Sequence, residues 1–440
     1  MRNVELLMPA GNIEKLKYAV KYGADAVYLG VVDFSLRAMR KGEIITLANL
    51  KSAIDLAHSL GAKAYMTLNI FAFSSDIKHL EECIEVIKDA NPDAILVSDF
   101  GILRLLRKYM PGVPVHVSTQ TNILNYECVK FWQDMGATRV VLARELSIPQ
   151  IAEIKQQVPD MEIECFIHGS QCVSFSGRCL LSDYFTNGER KANSGNCSQP
   201  CRWSYKLVEE TRPGQYYEIN QDERGSHILS PKDLCLVKHL REMMDAGVDS
   251  FKVEGRTKSL YYVSAVAKTY RAAIDEIMQN PDADMEKYFI ELQKVGNRGY
   301  TTGFALGENK PDSYSYDISK GLAGADFLFE FHGKKKYSDV VCHSELDSES
   351  DMTQTLKQVQ GDDCNLYFVK VKNKIYLNDE VEIITPDEQF ITKVVEIVDE
   401  KGENLDLANT NADVYLKLSV EPKDYEVALA RTIGVKEHVC

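Results

Sequence analysis

The 440-residue sequence predicts an α/β protein: a (β/α)8 TIM-type barrel over residues 1–300, a cysteine-rich insertion at about 170–249 between its seventh and eighth strands, and a small C-terminal antiparallel β-barrel over 364–440. Three observations predict it. Short apolar runs alternate with helix-periodic stretches through the first 300 residues, and one connection is far too long for a helix alone. From residue 364 the pattern changes to alternating runs broken by polar turns.

The strand-like runs are "ELLM" (5–8), "DAVYLG" (25–30), "AKAYMTLN" (62–69), "DAILVSD" (93–99), "VPVHVS" (113–118), "TRVVLA" (138–143), "EIECFIHG" (162–169) and "SFKVEG" (250–255). They are solidly Val, Ile and Leu-rich, as strands covered on both faces are. Stretches such as "LANLKSAIDLAHSL" and "DLCLVKHLREMMDAG" place apolar residues at helical spacing, and "YGAD", "LGAK", "MGAT" and "AGVD" close helices with glycine. Eight βα units fit a closed barrel better than the alternative, an open doubly wound sheet. Between Gly169 and Ser250 lie about 80 residues, and Cys172, Cys179, Cys197 and Cys201 all fall there, just past a strand's C-terminal end. After "NRGYTTGF" (297–304), residues 301–341 read as a connector. The polar, acidic stretch 342–363 reads as a disordered insertion without catalytic role, with Cys342 and Cys364 incidental. The runs beyond it suit a barrel of four to six strands.

Composition bounds the function. No run approaches 18 apolar residues, so nothing is expected to span a membrane. "MRNVELLMPAGNIEKL" lacks the apolar core and cleavage site of a signal peptide, which makes the cytoplasm the expected compartment. Thiols stay reduced there, so a tight cysteine group reads as metal-binding or catalytic rather than as disulfides. The net charge of −14 excludes a surface that is basic throughout. Residues 331–440 hold 13 Lys and Arg against 22 Asp and Glu, whereas the first 330 carry 38 against 43, leaving room there for a local basic cleft.

The cysteine spacings are C-x6-C, C-x17-C and C-x3-C. Only the last matches a zinc knuckle; four thiolates from one irregular loop also suit an iron–sulfur cluster, and unligated thiols are the third reading. Cys235, at the start of a predicted helix, is the alternative fourth ligand or a core residue, and Cys83, Cys128 and Cys165 are expected in the core. Polar residues gather where strands stop, including Asn69, Asp99, Gln120 within "STQTN", Arg144, His168, Glu254 and Arg256. They suggest a pocket for an anionic small molecule, with Arg144, Arg178, Arg202 and Arg256 as carboxylate or phosphate clamps. Glu254 is a candidate for proton transfer or an anchor for Arg256 or Lys258; His168 is a candidate for catalysis or for packing. Tyr184, Phe185, Trp203 and Tyr205 interleave with Arg178, Arg190, Lys191 and Arg202, a mixture suited to unpaired bases or to a small aromatic core.

"ECFIHGSQCVSFSGRCLLS" resembles the signature of the collagenase-like peptidase family (peptidase family U-thirty-two), with Glu164, Phe166, Gly169, Ser170, Cys172, Gly177, Cys179, Leu181 and Ser182 in register and Gln171 in a slot that is normally aliphatic. "PAGNIEKLKYAVKYGADAVYLG", "KVEGRTKS", "NRGYTTGF" and "VKVKNKIYLNDEVEIITP" extend the resemblance over nearly the whole chain except 342–363. "CSQPCRW" and the C-terminal barrel are most similar to the family's tRNA-hydroxylating branch. That resemblance implies conversion of wobble uridine in a tRNA anticodon loop to 5-hydroxyuridine, a 4Fe–4S cluster on Cys172, Cys179, Cys197 and Cys201, and prephenate as co-substrate. Related branches imply other RNA or quinone precursors as substrates. Collagenase-like peptidase activity is the alternative, with Cys172 and His168 as the pair; no G-x-S-x-G or H-E-x-x-H motif is present. If the C-terminal barrel docks RNA, Lys334–Lys336 or Lys370–Lys374 is the expected patch.

Overall fold

The computed structural model describes residues 4–31, 34, 44–172, 174, 179, 181–187, 189–190, 197–202, 221–222, 225–226, 231–307, 324–336, 340 and 365–434. They belong to two compact units, residues 1–322 and 323–440.

In the first unit a parallel barrel closes from β1 (Glu5–Pro9), β2 (Ala26–Leu29), β3 (Lys63–Leu68), β4 (Ala94–Val97), β5 (Val115–Val117), β6 (Arg139–Val141), β7 (Glu162–Ser170) and β8 (Ser250–Val253). Successive strands pair in parallel, and β8 completes the ring through Leu6↔Phe251 and Phe251↔Cys165. Every residue of β2, β4, β5, β6 and β8 is buried, which is why the sequence showed runs without alternation. Helices α1 (Ile13–Lys21), α2 (Leu50–Ser59), α3 (Ser74–Ala90), α4 (Phe100–Tyr109), α5 (Tyr126–Asp134), α6 (Ile148–Gln157), α7 (Leu240–Asp245) and α8 (Leu260–Gln279) follow the strands. Asn12, Asp99, Asn125 and Ser259 cap four of them by accepting first-turn N–H bonds. Gly23, Gly61, Gly136 and Gly247, where the sequence stops its helices, have φ of +108°, +85°, +83° and +85°.

The long connection differs from the sequence expectation. "DLCLVKHLREMMDAG" does not begin as a helix: Asp233–Cys235 is a short strand, and the helix proper is α7. Pairing overrides helical spacing, because Asp233, Leu234 and Cys235 run antiparallel to Ser170, Gly169 and His168 at the end of β7. The chain thus rejoins the barrel wall at residue 233, well before β8. Tyr300–Thr301 extends this wall in parallel with Asp233 and Leu234.

The barrel interior carries a layer of paired charge toward the strands' N-terminal ends. Arg139 Nη1 lies 2.6 Å from Glu5 Oε1 and 3.2 Å from Glu164 Oε2, and its Nε lies 2.8 Å from Glu162. Lys252 Nζ lies 2.6 Å from Glu164 Oε1. Tyr65 OH donates to Glu5 Oε2 at 2.6 Å and Ser250 Oγ to Glu5 Oε1 at 2.9 Å. Burial pushes the Glu5 carboxyl up, but the Arg139 charge and these donors outweigh it and hold the group below its ordinary value. Burial likewise lowers Lys252 against the opposing pull of Glu164.

The second unit is a closed antiparallel barrel of β9 (Phe327–Lys336), β10 (Asn365–Val371), β11 (Glu380–Ile384), β12 (Gln389–Val398), β13 (Asp413–Leu418) and β14 (Leu429–Thr432), in the order β9-β10-β13-β12-β11-β14. Six strands meet the upper expectation, but β9 comes from the stretch 301–341 that read as a connector. Its Phe329 and Phe331 enter the core beside Tyr367, while its "GKKK" end is largely exposed, which masked the alternation. Fully buried Arg431 is held by Glu382 on the adjoining strand at 2.7 Å. The insertion 342–363 lies outside the described residues. Among the described residues no helix is long and apolar enough to cross a membrane.

Candidate active site

The polar strand ends meet at the barrel's C-terminal mouth, the end opposite the buried charge layer. Arg144, beyond β6, is fixed on three sides. Its Nη1 donates to Ser170 O on β7 at 2.7 Å, its Nη2 lies 3.6 Å from Glu254 Oε2 beyond β8, and its guanidinium stacks 3.8 Å from the Phe166 ring centre. Glu254 therefore acts as an anchor, with Arg144 as the ion-pair partner; Lys258 instead pairs with Asp233 at 3.8 Å. Arg256 is buried and donates to Thr67 Oγ1 at 3.4 Å and Gly30 O at 3.3 Å. Two guanidinium groups so held present a preorganised cationic surface.

Buried polar atoms at the ends of four strands want partners at the same mouth. Asn69 Oδ1, Ser98 Oγ, Asn122 Oδ1 and Gln171 Nε2 are buried and have no hydrogen-bond partner among the described residues. They follow β3, β4, β5 and β7. Asn69 otherwise donates to Ser118 Oγ at 3.3 Å, and Ser118 Oγ also accepts the Gln120 N–H at 3.4 Å, which places Gln120 on the same rim. Buried groups of this kind in a native fold ask for a ligand or water. Asp99 does not line the site; it caps α4.

His168 lies in the barrel wall, in line with the packing alternative. It is 1% exposed, its ring is surrounded by Tyr262, Tyr270 and Tyr300, and Nδ1 meets Tyr270 OH at 3.2 Å. Burial, reinforced by the Lys258 charge, lowers the imidazole to about 3, so it is neutral at working pH. The unfolded chain takes up this proton below about pH 6.5, so the unfolded state binds more protons and stability falls as pH drops from 6.5 toward 3. His116, lowered in the same direction by burial, adds to the trend. A His168→Gln variant should therefore lose about 2 kcal/mol less than wild type between pH 7 and pH 5 in urea unfolding. Equal losses would remove His168 as the source of the linkage.

The insert leaves directly from this wall. Cys172 and Cys197 are exposed, Cys179 and Cys201 half-buried, and none of the four is in a disulfide. Ser182 Oγ donates to Arg190 O at 2.7 Å and accepts the Ser198 N–H at 2.8 Å, tying the segment of Cys179 to that of Cys197. The Gln199 N–H reaches Cys197 Sγ at 3.3 Å, and Cys201 follows in the turn Pro200–Arg202. Among the described residues no three His, Cys, Asp or Glu side chains are gathered as a metal site. Cys235 is a buried wall thiol 3.8 Å from Tyr270 OH, pushed up to about 11 by burial, and so remains protonated. Cys165 is buried, but Cys128 is exposed rather than in the core and Cys83 is half-buried. Tyr184 is exposed and packs edge-on against Phe185 at 5.2 Å. Arg178, Lys191, Trp203, Tyr205 and the Arg202 side chain lie outside the described residues. Ser98 and Phe166 were not singled out as site residues in the sequence; the signal for Ser98 was its place just past a strand, and for Phe166 its place in the signature "ECFIHGSQC".

A (β/α)8 barrel with an arginine-bearing mouth and a four-cysteine insert beside it is the scaffold of the barrel enzymes, a class that carries its chemistry at the C-terminal face. The chain belongs to Peptidase family U32, whose pattern matches residues 11–315, and the pattern of the Peptidase family U32 C-terminal domain matches 354–430. Similar proteins include tRNA hydroxylation protein P of Haemophilus influenzae, 36% identical over 447 residues covering 92% of this chain and 90% of that one. The 23S rRNA 5-hydroxycytidine C2501 synthase of Escherichia coli is 36% identical over 72% of this chain and 47% of its own. The collagenase of Porphyromonas gingivalis is 35% identical over 70% and 75%.

Proposed function

We propose that this protein is an RNA hydroxylase that converts the wobble uridine of tRNA to 5-hydroxyuridine, with prephenate as co-substrate and a 4Fe–4S cluster on Cys172, Cys179, Cys197 and Cys201. The observation that carries the reading is the mouth itself: clamped Arg144 and buried Arg256 beside unpartnered polar atoms of Asn69, Ser98, Asn122 and Gln171, with the thiol-bearing insert leaving from β7 between the two arginines' strands. The names of two relatives support RNA hydroxylation, the tRNA hydroxylation protein P over nearly its whole length and the rRNA synthase over about half of its own. The donor set is suited to such a cluster in being four thiols from one segment, with Cys197 Sγ already accepting a backbone N–H, an interaction that tunes clusters of this type. When bound, the cluster supplies one-electron chemistry at the mouth. Arg144 and Arg256 orient the carboxylates of an anion such as prephenate, and Glu254 keeps the Arg144 fork in place. The unpartnered Asn69, Ser98 and Asn122 atoms meet the polar edge of an unpaired base, and an anticodon loop offers bases that are already unstacked.

The peptidase reading needs a thiol within reach of an imidazole base. His168 is instead buried, bonded to Tyr270 and held neutral, while Cys172 is exposed. Two measurements test the hydroxylase. Protein purified without air should be brown, and Cys172→Ser and Cys197→Ser should lose that colour. In a strain lacking the gene, grown so that no oxygen-dependent route operates, mass spectrometry of digested tRNA should show loss of 5-hydroxyuridine derivatives, restored by wild type and not by Cys172→Ser. Unchanged tRNA together with a colourless protein would sink the proposal.

A further inference from the structure

Three successive βα turns share a pattern. Each pairs an unpartnered polar atom at the mouth with a large exposed apolar side chain a few residues on: Asn69 with Phe73, Ser98 with Phe100, and Asn122 with Leu124. The second of these is the most built. Phe100, the first residue of α4, lies flat on Trp132 of α5, with ring centres 4.9 Å apart and planes 7° from parallel. Trp132 is 4% exposed and Phe100 55%, so one face of Phe100 covers the indole and the other meets solvent. Phe131, also half exposed, stands edge-on to Phe100 at 6.1 Å. The result is a rigid, L-shaped pair of open rings.

The helix that carries Phe100 is basic in an acidic protein, although its Lys108 lies 3.9 Å from Glu81 and α5, which carries Phe131, sets Lys130 against Glu127 and Asp134. Helix α4 holds Arg104, Arg107 and Lys108 and no carboxylate. Arg107 is used in the fold, donating to Gly136 O and Val113 O. Arg104, one turn on from Phe100 and therefore on the same face, is exposed and forms no ion pair among the described residues. An open aromatic face with an available guanidinium one turn away matches a base and its phosphate. An aliphatic protein partner would be better met by branched side chains and would not require the cation.

We infer that Phe100 and Phe131 form the stacking platform for an unpaired RNA base next to the nucleotide held in the mouth, and that Arg104 neutralises the adjoining phosphate. The inference rests on the RNA-hydroxylase reading and adds to it the surface that receives the loop. The platform follows Ser98 by two residues, so a strand whose target base enters the mouth between Ser98 and Asn122 lays its neighbour across these rings. Stacking is indifferent to base identity, so this surface supplies affinity for single-stranded loops rather than choice among sequences.

The test uses full-length protein purified without air and a fluorescein-labelled, unmodified anticodon stem–loop RNA, with affinity read by anisotropy. Phe100→Leu keeps the contact with Trp132 and removes the ring; it should weaken binding about tenfold, as should Phe131→Ala, while Phe100→Trp should restore or exceed wild-type affinity. Arg104→Gln should reduce the slope of log affinity against log salt by about 0.7, the share of one single-strand phosphate. A blunt-ended, two-stranded RNA duplex should bind wild type, Phe100→Leu and Phe131→Ala equally. Melting temperatures confirm that each variant is folded. Unchanged affinity in folded Phe100→Leu and Phe131→Ala overturns the platform, and so does a change in oligomeric state in those variants with RNA affinity intact, which would mark a protein interface. If wild type restores 5-hydroxyuridine in cells and these variants still bind the loop normally, the platform alone fails. If wild type neither binds nor modifies RNA, the hydroxylase reading fails and takes the platform with it.

Discussion

Glu164→Gln should cost the N-terminal barrel about 3–5 kcal/mol, a large part of the stability of most domains. Glu164 is fully buried and serves two cations, Lys252 at 2.6 Å and Arg139 at 3.2 Å. Arg139 retains Glu5 and Glu162. Among the described residues Lys252 keeps the Tyr28 and Phe166 ring faces and the Glu5 carboxylate, already engaged by Arg139, which are weak compensation for a buried ammonium. The deficit therefore belongs mainly to Lys252, and two further results follow. In the double variant Glu164→Gln/Lys252→Met most of the loss should return, because no charge is left stranded. In the single variant the deficit should shrink as pH rises toward 10: folded Lys252 titrates below its ordinary value, the unfolded state holds more protons, and stability rises with pH. Denaturant unfolding followed by circular dichroism would measure all three proteins. Additive losses in the double variant would refute the account.

Gly169→Ala is the second large effect. Gly169 has φ of +106°, and a Cβ there would stand 2.4 Å from the carbonyl oxygen of Glu254 and 2.9 Å from its Cβ. The obstacle is backbone, and it cannot step aside: Glu254 N–H bonds to His168 O at 2.9 Å, and Tyr262 OH bonds to Glu254 O at 3.0 Å. Left-handed strain adds about 1–3 kcal/mol to the steric cost. Any relief parts Ser170 from Glu254, and these two residues hold Arg144. The variant should lose at least about 3 kcal/mol of stability and about a hundredfold in catalytic efficiency. Gly61→Ala is the control, since φ is +85° but nothing lies within 4 Å of the added carbon; it should show only the strain. Comparable melting temperatures for the two variants would show that the contact with Glu254 is easily relieved.

Most of the barrel was legible because strands buried on both faces are written as solid apolar runs, and glycines in the left-handed region punctuate the helices. The charge layer was half visible. Glu5, Arg139, Glu164 and Lys252 each stand in an otherwise apolar run, but their pairing was not readable, since Arg139 and Glu5 meet across 134 residues of chain. Strand Asp233–Cys235 was hidden because its conformation is imposed by β7, and β9 because its exposed lysine end and the long stretch after it broke the alternation. At the site, Arg144 and Arg256 stood out as polar residues after strands. The burial of His168 did not, because three tyrosines from distant positions enclose it.

The pairing of Asp233 with Ser170 has a consequence for how this architecture can change. The chain departs and returns through adjacent positions of one hydrogen-bonded ladder. Whatever occupies 171–232 thus plugs into a socket whose two contacts are set by the wall. Closing a loop between fixed ends grows only logarithmically with length, by about 0.6 kcal/mol for each doubling. Segments of quite different length are therefore tolerated here without disturbing strand register. The barrel is in this respect a chassis, on which the thiol-bearing module can be exchanged while the arginine mouth stays as it is.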